Sequence, residues 1–170
     1  MGCRGGHPAI PEEITLNEKI NLIDAELYLN SPYPSVLGKA RDIDIIISFD
    51  FSDVDPFETL KVASEYAAAT GHPFPKVDFG NLDPKRPRSY YVFEEKGKPT
   101  VIHIPLFNMD NCKNQETIKK EMKEYTTFQQ PYKDKANIDH LAHLAEDNVS
   151  MNKDDILKAI KKAVQRRSGL

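Results

Sequence analysis

An α/β fold, a partial three-layer arrangement of sheet and helices, is predicted by three features of the sequence. Residues 43–51 contain the β-branched run Ile45-Ile46-Ile47, continuous rather than alternating, as in a strand covered on both faces. Asp55-Pro56 follows at once and opens a segment in which Phe57, Leu60, Ala63 and Ala67 recur at helical spacing up to Gly71. Two further strand-type runs flank Gly97, and a helix closes the chain. Strand, turn, helix and strand in that order is the signature of α/β architecture.

Along the chain, residues 1–18 form an irregular lead-in, with Gly2, Gly5, Gly6, Pro8 and Pro11 spread through it. Residues 19–170 make up the folded part. Residues 19–23, Lys-Ile-Asn-Leu-Ile, form a short strand that ends at Asp24. Asn30-Ser31-Pro32-Tyr33-Pro34 is held extended by its prolines. Pro73, Pro75, Pro84 and Pro87 mark residues 72–89 as a long surface loop. Residues 90–94 and 100–107 are two strands of a hairpin turning at Gly97.

Residues 108–118 are polar and aperiodic, which predicts an exposed loop, and residues 117–125 a highly charged helix. Residues 138–145 form another helix. The last helix has Asn152 as N-cap, Asp154 and Asp155 in its first turn, an apolar stripe through Ile156, Leu157, Ile160, Ala163 and Val164, and Arg166 and Arg167 at its end. Only about four strands are visible, too few to enclose the apolar strand at 43–51. This predicts a chain that belongs to a larger sheet.

Composition excludes several classes. The 170 residues are 39% hydrophobic and 29% charged, with a mean hydropathy of −0.55, which suits a globular protein and neither full disorder nor a membrane span. Lysine plus arginine number 23 against 26 acidic residues, a balance that does not suit a nucleic-acid binder. Cys3 and Cys112 are the two cysteines, too few for a disulfide framework or a zinc cluster, and the setting predicted is the reducing cytosol. Met1-Gly2-Cys3 begins like a lipidation signal, but Gly6 stands where that signal needs Ser or Thr.

Several side chains could carry chemistry. Asp24, at the carboxyl end of a strand, is placed to act as a general base, or it bonds its own backbone in a turn. Asp50, Asp53 and Asp55, with Asp42 and Asp44 upstream, could attract a divalent cation. However, no EF-hand pattern frames them, and turn and helix-start chemistry accounts for Asp53 and Asp55. Asp139, His140 and His143 share helical spacing without a third or fourth ligand in reach; His143 is expected against the sheet and His140 in solvent.

No metal site or cofactor is therefore predicted. No serine sits in a Gly-x-Ser-x-Gly frame, and Ser48 lies inside a strand as a structural residue. Lys158, Lys161, Lys162, Arg166 and Arg167 could meet anionic lipid or form a solvated helix face.

The stretches 22–34, Leu-Ile-Asp-Ala-Glu-Leu-Tyr-Leu-Asn-Ser-Pro-Tyr-Pro, and 42–52, Asp-Ile-Asp-Ile-Ile-Ile-Ser-Phe-Asp-Phe-Ser, resemble the cytosolic (group IV) phospholipase A2 enzymes. So do Asp55-Pro56-Phe57-Glu58, His72-Pro73-Phe74-Pro75-Lys76-Val77-Asp78, Tyr91-Val92-Phe93, residues 99–105 and residues 125–167. The resemblance implies a carboxy-terminal piece of a cytosolic phospholipase A2/patatin-like hydrolase fold. It also implies hydrolysis of a glycerophospholipid acyl ester by a Ser–Asp dyad, in the cytosol or peripherally on a membrane.

By the same resemblance, Asp24 matches the aspartate of the family's Asp-Ser/Ala-Gly-Leu segment. It would take the serine proton and return it to the leaving alkoxide. The family's serine motif, its oxyanion glycines and its arginine have no match here, and Glu26 stands where the family has glycine. A second carboxylate beside Asp24 would tend to raise its pKa. The chain alone is thus expected to be inactive or very weak. The alternative is an inactive pseudoenzyme fragment that binds lipid or a partner protein. The calcium-binding, membrane-targeting module of many relatives has no counterpart in these residues.

Overall fold

The computed structural model describes residues 19, 28–38, 41–52, 54–126 and 134–169. Helix α1 covers Tyr33–Val36, strand β1 Ile45–Asp50 and helix α2 Glu58–Thr70. Strands β2 (Tyr91–Phe93) and β3 (Thr100–Pro105) follow. Then come helices α3 (Met109–Cys112), α4 (Gln115–Glu124) and α5 (Lys135–Ser168). The described strands form one sheet in the order β1-β3-β2. β1 runs parallel to β3, with Ser48 opposite His103, and β2 runs antiparallel to β3, with Val92 opposite Ile102.

β3 is the central strand, and all six of its residues are buried. Its side chains alternate between two helical layers. Val101 joins Leu60, Ala63 and Ala67 of α2 in the main core, together with Leu29, Tyr33, Leu37, Phe74 and Val77. On the opposite face Thr100 accepts a hydrogen bond from Arg166 of α5, 2.7 Å away. α2 and α5 thus cover opposite faces of the sheet, the three-layer α/β arrangement expected from the sequence. A second cluster of Leu106, Phe107, Cys112, Ile118, Tyr125 and Leu144 packs α3, α4 and the start of α5 beyond the end of β3.

Several local signals act as predicted. Gly71 closes α2 at φ 67, and its N–H returns to the Ala67 carbonyl. Asp55 accepts from the Phe57 N–H at 2.9 Å and so organises the entry to α2. Gly97, at φ 78, lies between β2 and β3.

Other expectations are corrected. The continuous apolar run at 43–51 predicts a strand buried on both faces, yet Phe49 is 42% exposed and β1 is an edge strand among the described residues. Strand order depends on pairings far apart in sequence, which apolarity alone does not encode. The proline-bearing residues 32–36 hold a helical turn instead of an extended strand, because Pro34 falls in the first turn, where the missing N–H has no partner to lose. Within the 72–89 loop Phe74 and Val77 are buried core residues, so the loop is packed down rather than free on the surface.

Residues 108–118 are not an exposed loop. Asn108 caps α3 through the Asp110 and Asn111 N–H groups in a reciprocal capping box. The two predicted carboxy-terminal helices are one helix of 34 residues, capped by Asp134. Asn152 is a buried interior residue of that helix, and Asp154 and Asp155 lie mid-helix. Of the strand predicted at 19–23, only Lys19 is described, as an exposed bend.

Candidate functional site

Asp24 and Glu26 lie outside the described residues, as do Cys3 and Asp53. What the structure describes is the frame that follows them. Leu29, Tyr33 and Leu37 are buried against α2, so the stretch leading into β1 is anchored in the main core.

On the α2-facing side of the sheet lies a buried polar group of residues. Ser48 and Asp50 alternate with outward-facing Phe49, and Ser48 is in register with His103. Asp50 is 3% exposed; its Oδ1 accepts from the Ser52 N–H at 2.8 Å. His103 is fully buried and donates from Nε2 to the Pro56 carbonyl at 2.6 Å. Phe57 and Tyr91 place their rings 5.8 and 6.4 Å from its imidazole. Burial pushes the His103 pKa down, while the Asp50 charge and the Pro56 bond pull it up. Burial pushes the Tyr33 hydroxyl up to about 12.

Asp50 and His103 were not singled out together by sequence reasoning. The available signal was one imidazole inside an otherwise apolar strand, whose partners lie far away in the sequence.

Asparagines lock the carboxyl end of β3 to α5. Asn148 donates to the Pro105 and Leu106 carbonyls at 2.9 and 3.0 Å and accepts from Asn108 Nδ2 at 2.8 Å. Asn152 donates to the Ser89 carbonyl at 3.3 Å. Asp110 accepts the Ser89 N–H at 2.9 Å, and hydrogen bonds from Ser89 hold its carboxyl below the usual aspartate range. These groups are structural, because their polar atoms are spent on one another.

The predicted metal candidates separate. Asp139 pairs with Lys135, His140 with Glu121 at 3.2 Å, and His143 with Glu146 at 3.7 Å. His143 is exposed rather than packed on the sheet, because its position on α5 faces solvent. Among the described residues no group of three His, Cys, Asp or Glu side chains is placed to hold a metal ion. Cys112 is buried, and burial pushes its thiol up to about 11, so it lacks the thiolate character of a nucleophile.

The basic end of α5 is largely engaged. Lys162 pairs with Glu94 at 2.5 Å, and Arg167 pairs with Asp44 at 2.5 Å and Asp42 at 3.0 Å. Lys158 and Lys161 line an open hollow with Asp154 and Leu157. A smaller cavity of about 260 Å³ opens beside α1, lined by Pro32, Tyr33, Val36, Ile46 and Ser48 among others. No helix of the described residues is long and apolar enough to cross a membrane.

No protein-family model matches the chain. Human cytosolic phospholipase A2 gamma is 38% identical over 160 residues, covering 91% of this chain and 29% of the relative. Mouse cytosolic phospholipase A2 zeta is 32% identical over 183 residues, covering 95% of this chain and 21% of the relative. Among solved structures, human GIVD cytosolic phospholipase A2 in complex with methyl gamma-linolenyl fluorophosphonate matches with a TM-score of 0.69 and 26% identity, over 91% of this chain and 25% of that one. The complex that also contains terbium chloride matches with a TM-score of 0.67 and 28% identity, over 85% of this chain and 24% of that one.

The chain therefore spans under a third of the length of these relatives. In sequence and in fold, it belongs to the cytosolic phospholipase A2 family and corresponds to one segment of those proteins.

Proposed function

We propose that this chain is the aspartate-bearing part of a phospholipase A2-type hydrolase acting on the acyl ester of a glycerophospholipid. Asp24 would be the base of a Ser–Asp dyad whose serine another stretch of polypeptide supplies. The observation that carries this reading is the 38% identity to human cytosolic phospholipase A2 gamma across 91% of the chain.

In that chemistry, Asp24 accepts the serine proton as the hydroxyl oxygen attacks the ester carbonyl. It then returns the proton to the departing glycerol alkoxide. Water repeats the cycle on the acyl-serine to release the fatty acid. A cytosolic setting with transient contact at a phospholipid surface follows from the same reading.

Glu26, at the family's glycine position, favours a second reading in which the chain is a pseudoenzyme that binds lipid or protein.

One complementation experiment separates the two. The chain is mixed or co-expressed with the serine-bearing remainder of cytosolic phospholipase A2 gamma, and fatty-acid release from phospholipid micelles is measured. The hydrolase reading expects background release from the chain alone, release above background from the pair, and its loss with Asp24→Ala. Background release from the pair, or release unaffected by Asp24→Ala, would sink it in favour of the pseudoenzyme.

A further inference from the structure

The charge on α5 changes along its length. In its first half, ion pairs close on or beside the helix: Lys135 with Asp139, His140 with Glu121 of α4, and His143 with Glu146. Residues 153–168 then hold six of the chain's 23 basic residues and only two of its 26 acidic ones. Three of the six, Lys162, Arg166 and Arg167, turn toward the sheet, where Glu94, Asp42 and Asp44 pair with them. Asp155 lies on that side too, since its charge acts on Tyr90. Lys153, Lys158 and Lys161 form no ion pair among the described residues. Asp154 shares with Lys158 and Lys161 the open hollow beside Leu157.

Apolar side chains lie among these free lysines. Lys153, Leu157, Ile160, Lys161 and Val164 follow one another at three- and four-residue steps, so they share one face of the helix. Leu157 is 44% exposed and Val164 59%. Either alone is ordinary on a protein surface. Together, interleaved with unpaired lysines at the same spacing, they make a basic amphipathic face turned away from the sheet.

The dimensions of this face select its occupant. Residues 153–164 rise about 18 Å, and the face is convex and one helix wide. A stable protein interface needs about 800 Å² from each partner, far more than such a stripe offers. A bilayer needs neither that area nor a matching shape. Apolar side chains enter its headgroup region, and lysine stems lie along it with their ammonium groups among the anionic headgroups.

We propose that this face of α5 docks on an anionic phospholipid bilayer, with Leu157 and Val164 inserted at the headgroup level and Lys153, Lys158 and Lys161 on the lipid anions. The inference rests on the phospholipid-surface contact of the preceding reading and names the face that makes it.

The test is co-sedimentation of the full chain with phosphatidylcholine vesicles, with and without about a quarter phosphatidylserine, in low and high salt. Binding is expected only to the anionic vesicles, and raising the salt should weaken it. Each lysine at such a surface is worth about fivefold in partitioning, so Lys158→Glu with Lys161→Glu should lower binding at least tenfold. The same charge change on exposed α4 positions, Lys119→Glu with Lys120→Glu, should lower it far less. The chain has no tryptophan, so Leu157→Trp is a unique reporter. Its emission should move to the blue on anionic vesicles and be quenched by brominated acyl chains.

No sedimentation at low salt would overturn the proposal, as would equal losses from the α4 and α5 pairs. So would a reporter that stays in water on bound protein, which would place the contact on another face. A reporter already shielded without vesicles, in a concentration-dependent way, would assign the face to a second copy of the chain instead. Fatty-acid release is not measured, so failed complementation through Asp24 and failed docking through α5 remain separate results.

Discussion

His103 and Pro56, 47 residues apart, are joined by a 2.6 Å hydrogen bond from the imidazole Nε2 to the backbone carbonyl. The bond ties the central strand to the turn that starts α2. Burial depresses the His103 pKa, so below its ordinary value of about 6.5 the unfolded chain binds a proton that the folded chain refuses. Stability present above that value is lost as pH falls from about 6.5 toward the folded pKa, at a slope of at most about 1.4 kcal/mol per pH unit. His103→Gln keeps a donor near the Nε2 position and removes the titration. Urea unfolding at pH 7 and pH 5 should show a smaller loss for this variant than for the unaltered chain; equal losses would exclude His103 as the source.

Asn148 is the hub that holds α5 to the end of β3. Its Oδ1 accepts from Asn108 at 2.8 Å and Asn111 at 3.1 Å, while its Nδ2 donates to two carbonyls. Asn148→Ala strips partners from several buried groups at once and should cost about 1–3 kcal/mol in chemical denaturation. An exposed substitution on the same helix, Ser150→Ala, should stay within about 0.5 kcal/mol. A near-neutral Asn148→Ala would show that water replaces the network.

Gly71 closes α2 in the left-handed region, and a Cβ there would meet no atom within 4 Å. The cost of Gly71→Ala is therefore conformational rather than steric, about 1 kcal/mol. Gly71→Asn should recover part of it, because asparagine tolerates that region better. Thermal melts of the two variants decide the point, and an alanine variant as stable as the parent would contradict the strain.

Arg166 and Arg167 fasten the last turn of α5 to Thr100, Asp42 and Asp44. These ion pairs are half-exposed, so the double change Arg166→Ala with Arg167→Ala should cost little globally, about 1 kcal/mol or less. Its visible effect should be faster amide exchange over the last turns of α5, with β3 remaining protected. Unchanged exchange there would mean that packing by Ala163 and Ile160 suffices to hold the helix end.

The α/β architecture, α2 with its glycine stop, and the β2–β3 hairpin were legible because each is written in residues close together in sequence. The central position of β3 was not, since a run of isoleucines announces a strand without saying which neighbours it finds. Asn152 illustrates a second limit. An asparagine followed by two aspartates has the local signature of a helix start, yet Ser89, in a distant loop, gives its side chain a buried partner and the helix runs through it. The buried neighbours Asp50 and His103 were hidden for the same reason. The role of Asp24 rests on family resemblance, because a lone aspartate after an apolar run fits a turn equally well.

The mixed pairing of β3 has a kinetic consequence. Its antiparallel partner β2 is only a short turn away, so that ribbon can close on a microsecond scale. Its parallel partner β1 is separated from it by α2 and a long proline-rich connection, whose closure entropy must be met before any β1–β3 contact forms. During synthesis the isoleucine-rich strand therefore leaves the ribosome well before its mate, and that interval is when a chaperone would be most useful to this polypeptide.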